Sequence, residues 1–459
     1  MIVNILIGLV GLGIVVFIHE LGHLVAAKAV GIEVEAFSLG WGKKLIGYTW
    51  RGTEYRISVF PVGGYCKMKG EQSYAAALDN DEQEIPEEEG SFFTAAPWKR
   101  IVTLLAGPLS NLVLAILILS VIWWFGFTTE TFPNRVILAS DYPELEATEE
   151  LQGDGQASPS PADSAGIESG DYVISIAGQE VDSYGEIQQI IAQNALTELD
   201  VILERNGRRI ATTVTPELTP ETGSGYIGVY AWVEPVIAQV QAGTPAAIAG
   251  LEPGDRIVSI NGVDTPHSLA VGRALSESGS EAQIMFERDV SMRESIAPLG
   301  EQEMLGVAFE TVSIPTPDLN VFEAIGQGAT EGFRILSVSV RSLRLLFQGV
   351  ELRSAVAGPV RISYFIGDVA TSGFAVGVDA GFRSFFNFLA LLSVVLFFMN
   401  LLPIPVLDGG QIVLSGVEWV RNKKPKPKTV HRYQMVGGVI VIGLLFFAVF
   451  GDILFLAGR

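Results

Sequence analysis

Ile14-Val15-Val16-Phe17-Ile18-His19-Glu20-Leu21-Gly22-His23-Leu24-Val25-Ala26-Ala27 sets three ionisable side chains inside an apolar run. In a helix, positions i and i+4 share a face. His19 and His23 therefore offer two imidazole nitrogens to one cation, with Glu20 beside them as a general base. The run reaches membrane-spanning length only if the helix continues through these residues to about Val30, because a span needs about 20 residues. An ionisable group at bilayer depth costs about 2.5–3.5 kcal/mol on insertion scales. Three such groups within five residues call for a metal or a partner. Histidines bonded between helices are the plainer alternative. Only four histidines occur in the chain, and two are here.

Outward from this stretch, further apolar runs lie near residues 101–127, 385–402 and 435–457, in a chain of 459 residues that is 49% hydrophobic. They predict about four membrane helices. The first run also resembles a signal peptide, but Met1-Ile2-Val3-Asn4 has no basic residue and no small-x-small cleavage site follows, so it reads as a retained span. The single cysteine, Cys66, excludes an intramolecular disulfide and a multi-cysteine zinc site. It reads as a packing residue.

Charge sets the expected orientation. The chain carries a net charge of −21, and residues 127–320 hold 31 Asp or Glu, 8 Arg and no Lys. Lys28, Lys43, Lys44, Lys67, Lys69, Lys99 and Arg100 lie between the first two apolar runs. Arg421, Lys423, Lys424, Lys426, Lys428 and Arg432 lie between the last two. Basic loops stay in the cytoplasm. The expectation is a multi-pass protein with its acidic central block and both termini outside, and the zinc site toward the cytoplasmic side. The cluster at 421–428 reads as a stop signal and a contact for the anionic bilayer rather than for nucleic acid.

The acidic block contains a repeat. Residues 165–178, AGIESGDYVISIAG, align with residues 249–262, AGLEPGDRIVSING, and Ile227-Gly228-Val229 echoes Leu305-Gly306-Val307. A tight Gly-Asp turn feeds an apolar strand closed by a second glycine turn. This pattern resembles the PDZ domain, which implies two peptide-binding α+β domains and possible peptide ligands. Tyr226, Ile227, Gly228 and Val229 resemble the loop that holds a terminal carboxylate. Elsewhere, residues 31–70 alternate like strands and hairpins, and 71–90 read as a solvated acidic loop. Residues 320–380 carry an amphipathic stripe from Phe322 to Leu346, interrupted by arginines such as Arg353. It reads as helices on the membrane surface or as packing against the second repeat. His267 and His431 are expected at the surface.

A catalytic zinc needs a third protein ligand and an open position. Asn400-Leu401-Leu402-Pro403-Ile404-Pro405-Val406-Leu407-Asp408-Gly409-Gly410 interrupts the third apolar region. Irregular backbone at membrane depth occurs where it lines a cavity or is buried in protein, so Asp408 becomes the candidate ligand, with an interfacial turn as the simpler reading. His-Glu-x-x-His in the first span with Asn-x-x-Pro-x-Pro-x-Leu-Asp-Gly in a later one resembles the site-2 protease family of intramembrane zinc metalloproteases. The similarity extends to Pro61-Val62-Gly63-Gly64-Tyr65 and Gly107-Pro108. It implies one zinc per chain held by His19, His23 and Asp408, with Glu20 as catalytic base. Asn400 would help bind substrate backbone. Tyr55–Met68 would be a membrane-entering hairpin whose Tyr55, Ile57, Val59, Gly63, Gly64 and Tyr65 meet the substrate.

The expected fold is thus a polytopic α-helical membrane protein with about four transmembrane helices, a membrane-associated β-hairpin region and two PDZ-like extracytoplasmic domains. The boundaries are 1–30 for the first span, 31–97 for the hairpin and acidic loop, and 98–127 for the second span, interrupted at Gly107-Pro108. The PDZ-like domains occupy 128–222 and 223–314, and surface helices 315–383. The broken third span takes 384–420, a basic loop 421–432 and the last span 433–459. The expected activity is cleavage of membrane-spanning segments of single-pass proteins in the bacterial inner membrane, such as an anti-sigma factor or remnant signal peptides, after an upstream extracytoplasmic protease has trimmed them. The alternatives are a membrane-anchored protease of soluble type and a PDZ scaffold or chaperone with a structural metal.

Overall fold

Helix α1 (Ile2–Val30) runs without a break through His19, Glu20 and His23. The computed structural model describes residues 2–146, 159–220, 222–299, 304–345 and 358–457. Leu346 and Arg353 of the amphipathic stripe fall outside that set. The chain divides into two units. One joins residues 1–127 to 317–459, and the other is Thr128–Thr316.

In the first unit, α1 is followed by strands β1 (Val34–Trp50) and β2 (Thr53–Met68). Both strands are long and fold back on themselves. Residues 36–39 pair with 64–67 on one side and with 54–57 on the other, while 46–49 pair with the far side of 54–57. The result is four short segments in the order 64–67, 36–39, 54–57, 46–49, of which 36–39 and 54–57 run parallel and the outer pairs antiparallel. Only the outer two have an edge left over among the described residues.

The expected acidic loop begins instead with helix α2 (Glu71–Asp79), where Ala75-Ala76-Ala77-Leu78 supplies strong helix formers. Tyr74 stacks on Phe93, with centroids 4.7 Å apart. The rest of the acidic segment meets the basic loop: Lys424 Nζ lies 3.0 Å from Glu87 and Lys428 Nζ 2.7 Å from Asp81.

Helix α3 (Pro97–Phe125) is continuous through Gly107-Pro108, contrary to the expected interruption. Pro108 removes one backbone donor and crowds the preceding turn, which a helix packed among others tolerates. Helix α4 (Val321–Leu345) packs on α3 and on α6 (Val378–Asn400), sharing a core of Leu119, Ala390, Val394, Ile335 and Leu336. Helix α5 (Pro359–Val376) packs on α1, where Asn4 Nδ2 donates to Asp368 at 3.1 Å. Of the stripe, Leu336 enters this core, whereas Phe322, Ile325, Phe333 and Val340 stay exposed, and the buried positions of α4 are the small Ala324, Gly328 and Gly332.

Helix α6 ends at Asn400, and helix α7 (Asp408–Arg421) starts at Asp408. The third apolar region is thus two helices joined by an irregular turn. Gln411 Nε2 donates to Pro405 O at 2.7 Å across that turn. Helix α8 (Pro427–Ala457) buttresses it, with Tyr433 OH donating to Gly410 O at 2.9 Å. The buried carboxylate of Asp452 on α8 accepts from the amides of Gly358 and Val360, capping α5. Four helices, α1, α3, α6 and α8, are long and apolar enough to cross a membrane, and the chain is an integral membrane protein.

The second unit holds two segments of the same build. Their sheets run 179–180, 172–176, 199–205, 208–214 and 263–264, 256–260, 281–288, 291–298. Each Gly-Asp turn buries its carboxylate against an arginine from a later strand. Arg205 grips Asp171 through two bonds of 2.7 Å, and Arg288 grips Asp255 through bonds of 2.6 and 2.7 Å. Tyr226–Val229, expected to open the second copy, closes the first. Ile227 lies in the first core and Val229 pairs with Leu138. Val307 plays the same part in the second copy, pairing with Val240. The apolar faces of both segments need a strand from their own C-terminal end to be covered, so the boundary falls after Ala231.

Candidate active site

Two helices and a turn converge on one point. His19 Nε2 and His23 Nε2 are 3.1 Å apart, and Asp408 Oδ2 lies 3.2 Å from the first and 3.5 Å from the second. Tetrahedral zinc with bonds of about 2.0–2.1 Å separates neighbouring ligand atoms by about 3.3–3.4 Å. The three atoms thus stand at the corners that such an ion requires. They form the one group of three or more His, Cys, Asp or Glu atoms suited to a metal among the described residues. Three protein donors leave one tetrahedral position for water or substrate, as in catalytic zinc sites, whereas structural sites supply four.

The helix spacing explains the first two ligands, and the broken third span explains the other. Asp408 is the first residue of α7, so the turn 401–407 carries its carboxylate to the imidazoles. His23 Nδ1 donates to the backbone carbonyl of Thr103 at 2.8 Å. This bond fixes the proton on Nδ1 and leaves the Nε2 lone pair facing the metal position. The carbonyl is available because α3 passes close to α1. A Cβ built on Gly22 falls 2.3 Å from Ala106 O, and one on Gly107 falls 2.3 Å from His23 Nε2. Small residues on both helices admit this approach. In the sequence Gly107-Pro108 carries part of the resemblance and an expected break in the second span, and nothing there ties it to His23. Sequence reasoning missed Thr103 and Asn111, whose contacts depend on another helix.

Glu20 lies beside the triad on α1, near enough to His19, His23 and Asp408 to interact with their charges. Its carboxylate accepts the backbone N–H of Cys66, and a Cβ on Gly64 would lie 3.6 Å from Glu20 Cγ. The base therefore touches the outer edge of segment 64–67. Cys66 is half-buried there, in its expected packing role.

The expected substrate residues divide. Gly64 lies on that open edge, with Gly63 and Tyr65 beside it. Tyr55 and Ile57 do not, because segment 54–57 is already paired on both flanks. Tyr55 instead stacks on Tyr48 and accepts from Lys28 Nζ at 3.1 Å. Val59 is exposed beyond this paired segment. Asn400 is half-buried at the end of α6. In the other unit, Val229 O accepts from Tyr184 OH at 2.8 Å. His267, expected at the surface, is buried at 5% exposure against Tyr142 and Trp232. His431 is exposed as expected.

A family model for peptidase family M50 matches residues 7–444. A protein of Treponema pallidum named as a zinc metalloprotease is 35% identical over 459 residues, covering 99% of both chains. One of the same name from Borreliella burgdorferi is 28% identical over 451 residues, covering 96% of each. Protease RseP of Yersinia pestis is 28% identical over 471 residues, covering 97% of each.

Proposed function

The chain belongs to peptidase family M50 and is a membrane-embedded zinc metalloprotease, and from that premise we propose that it cleaves the membrane-spanning segments of single-pass proteins in the bacterial inner membrane. One observation carries this reading: Glu20 bridges a metal triad within an apolar helix and the open edge of segment 64–67.

His19, His23 and Asp408 would hold the ion, and zinc supplies Lewis acidity that polarises a carbonyl and acidifies water. Glu20 takes a proton from the attacking water and delivers it to the leaving amine as the C–N bond breaks. Because Cys66 directs its N–H to Glu20, ladder alternation directs the polar groups of Gly64, two residues earlier, to the same edge. An unwound substrate segment adds there as a further strand, its peptide bonds beside the base. A spanning helix hides its amides in i→i−4 bonds, so helix-breaking residues favour cleavage.

The paired α+β segments are PDZ-like and act as a gate. Residues 128–316 follow the C-terminal end of α3 in the chain. A bulky insert of this size holds back intact membrane proteins until an upstream protease has trimmed them. Recruitment of peptides by Tyr226–Val229 is the rival reading of the same segments.

Purified protein with a model single-span substrate in detergent tests the activity. Glu20→Gln should keep its zinc and lose cleavage by about 10²–10⁴-fold. Undiminished proteolysis by that variant would sink the assignment.

A further inference from the structure

Asn111 is fully buried on α3, and its side-chain nitrogen Nδ2 is placed 3.3 Å from His19 Nδ1. Its Oδ1 is buried without a hydrogen-bond partner among the described residues. That arrangement contains two conflicts. A buried amide carbonyl with no donor costs about 1–3 kcal/mol. An amide N–H donating to Nδ1 also forces the imidazole proton onto Nε2, the atom that stands 3.2 Å from Asp408 Oδ2 at the metal position. A protonated nitrogen has no lone pair to give.

Half a turn of the amide exchanges its oxygen and nitrogen at nearly the same atomic positions. The orphaned Oδ1 then faces His19 Nδ1. It accepts the ring proton there, and the Nε2 lone pair is released toward the ion. His23 already has this arrangement through the Thr103 carbonyl. Each imidazole would then donate from Nδ1 to a carbonyl on α3, one from the backbone and one from a side chain.

We propose that Asn111 is a positioning residue for the metal centre, whose side-chain carbonyl holds His19 in the Nδ1–H form that binds zinc through Nε2. The inference rests on the zinc-site reading above. It adds a second function to α3, which both admits His23 at Gly107 and orients His19 one helical turn later. The carbonyl works on the ligand and not on the reacting atoms, so its loss is read first in metal affinity.

The test is zinc binding by the full chain in detergent, followed by chelator competition, for the wild type, His19→Ala, Asn111→Leu and Asn111→Asp. Leu fills the same volume without an acceptor, and Asp keeps the acceptor. Asn111→Leu should bind zinc about 10–100-fold more weakly, and Asn111→Asp should stay near the wild type. Asn111→Leu with wild-type affinity would overturn the inference, as would Asn111→Asp as weak as Leu. His19→Ala separates the two levels: if it retains full zinc affinity, the metal site itself is misassigned. One arm needs no substitution. In ¹⁵N-histidine spectra of the zinc-loaded wild type, His19 Nδ1 should carry a hydrogen-bonded proton, and a bare Nδ1 would refute the role.

Discussion

Gly107 on α3 and the imidazole of His23 on α1 occupy adjoining space, with a built Cβ falling 2.3 Å from Nε2. Gly107→Ala therefore pushes on the metal-facing nitrogen itself. Neither partner yields readily, since the imidazole is tied to Thr103 O and the glycine is helix backbone. The substitution should weaken zinc by at least about tenfold, the scale of losses at ligand supports. Metal content after dialysis against a chelator measures it. Wild-type retention would mean that the helices part without cost.

The two ends of the 128–316 unit meet. Thr128–Thr131 pairs antiparallel with Val312–Pro315, so Thr128 stands opposite Pro315. Excising residues 128–316 and joining 127 to 317 with a short flexible linker should leave the metal triad intact. Under the gating reading, the shortened protein cleaves untrimmed membrane substrates that the full chain spares. Loss of all cleavage with zinc retained would favour recruitment instead.

Arg288 neutralises the fully buried Asp255 with two hydrogen bonds. Arg288→Met strands that carboxylate and should destabilise the second repeat by about 3–5 kcal/mol. Lys424→Ala, which removes a solvent-exposed partner of Glu87, should cost under about 1 kcal/mol. Hydrogen exchange in the full chain, resolved by segment, compares the two. Equal effects would refute the distinction between buried and exposed pairs.

His267 ties the two repeats together. Its Nδ1 accepts from the Ala270 amide, Nε2 lies 3.3 Å from Tyr142 OH, and Arg135, Arg273, Asp141 and Glu234 surround it. Burial first, then the nearby Arg135, pushes its pKa down to about 4 from an ordinary 6.5. Between those values the unfolded chain binds a proton that the folded one refuses, so stability falls as pH drops through this window. The loss is on the order of 2–3 kcal/mol by pH 4. His267→Asn keeps a capping acceptor and should flatten the slope between pH 6.5 and 4. A slope unchanged in that variant would assign the effect to other groups.

Much of the site was legible because its signals are local or chemically costly. His19 and His23 share a face by helical spacing alone, and their presence in an apolar run is expensive unless a metal repays it. Asp408 stood out because Pro403, Pro405 and two glycines break a helix where breaks are rare. The repeat and its Gly-Asp turns were visible as text. The arginines that complete those turns were not, since Arg205 and Arg288 lie more than thirty residues along the chain. The amphipathic stripe of α4 was legible as a stripe only. Periodicity marks an apolar face and does not say whether protein covers it, and here Phe322, Ile325, Phe333 and Val340 are exposed.

The sequence by itself determined the spans, the metal-binding residue types and the base, because helical period, bilayer thickness and ligand chemistry act along the chain. Only the tertiary structure decided that Thr103 and Asn111 face the imidazoles, that Gly107 makes room for one of them, and that residues 64–67 rather than 54–57 keep an open edge. Those facts follow from close approach between segments distant in sequence, and no one-dimensional pattern encodes which backbone groups remain unpaired once the segments have met.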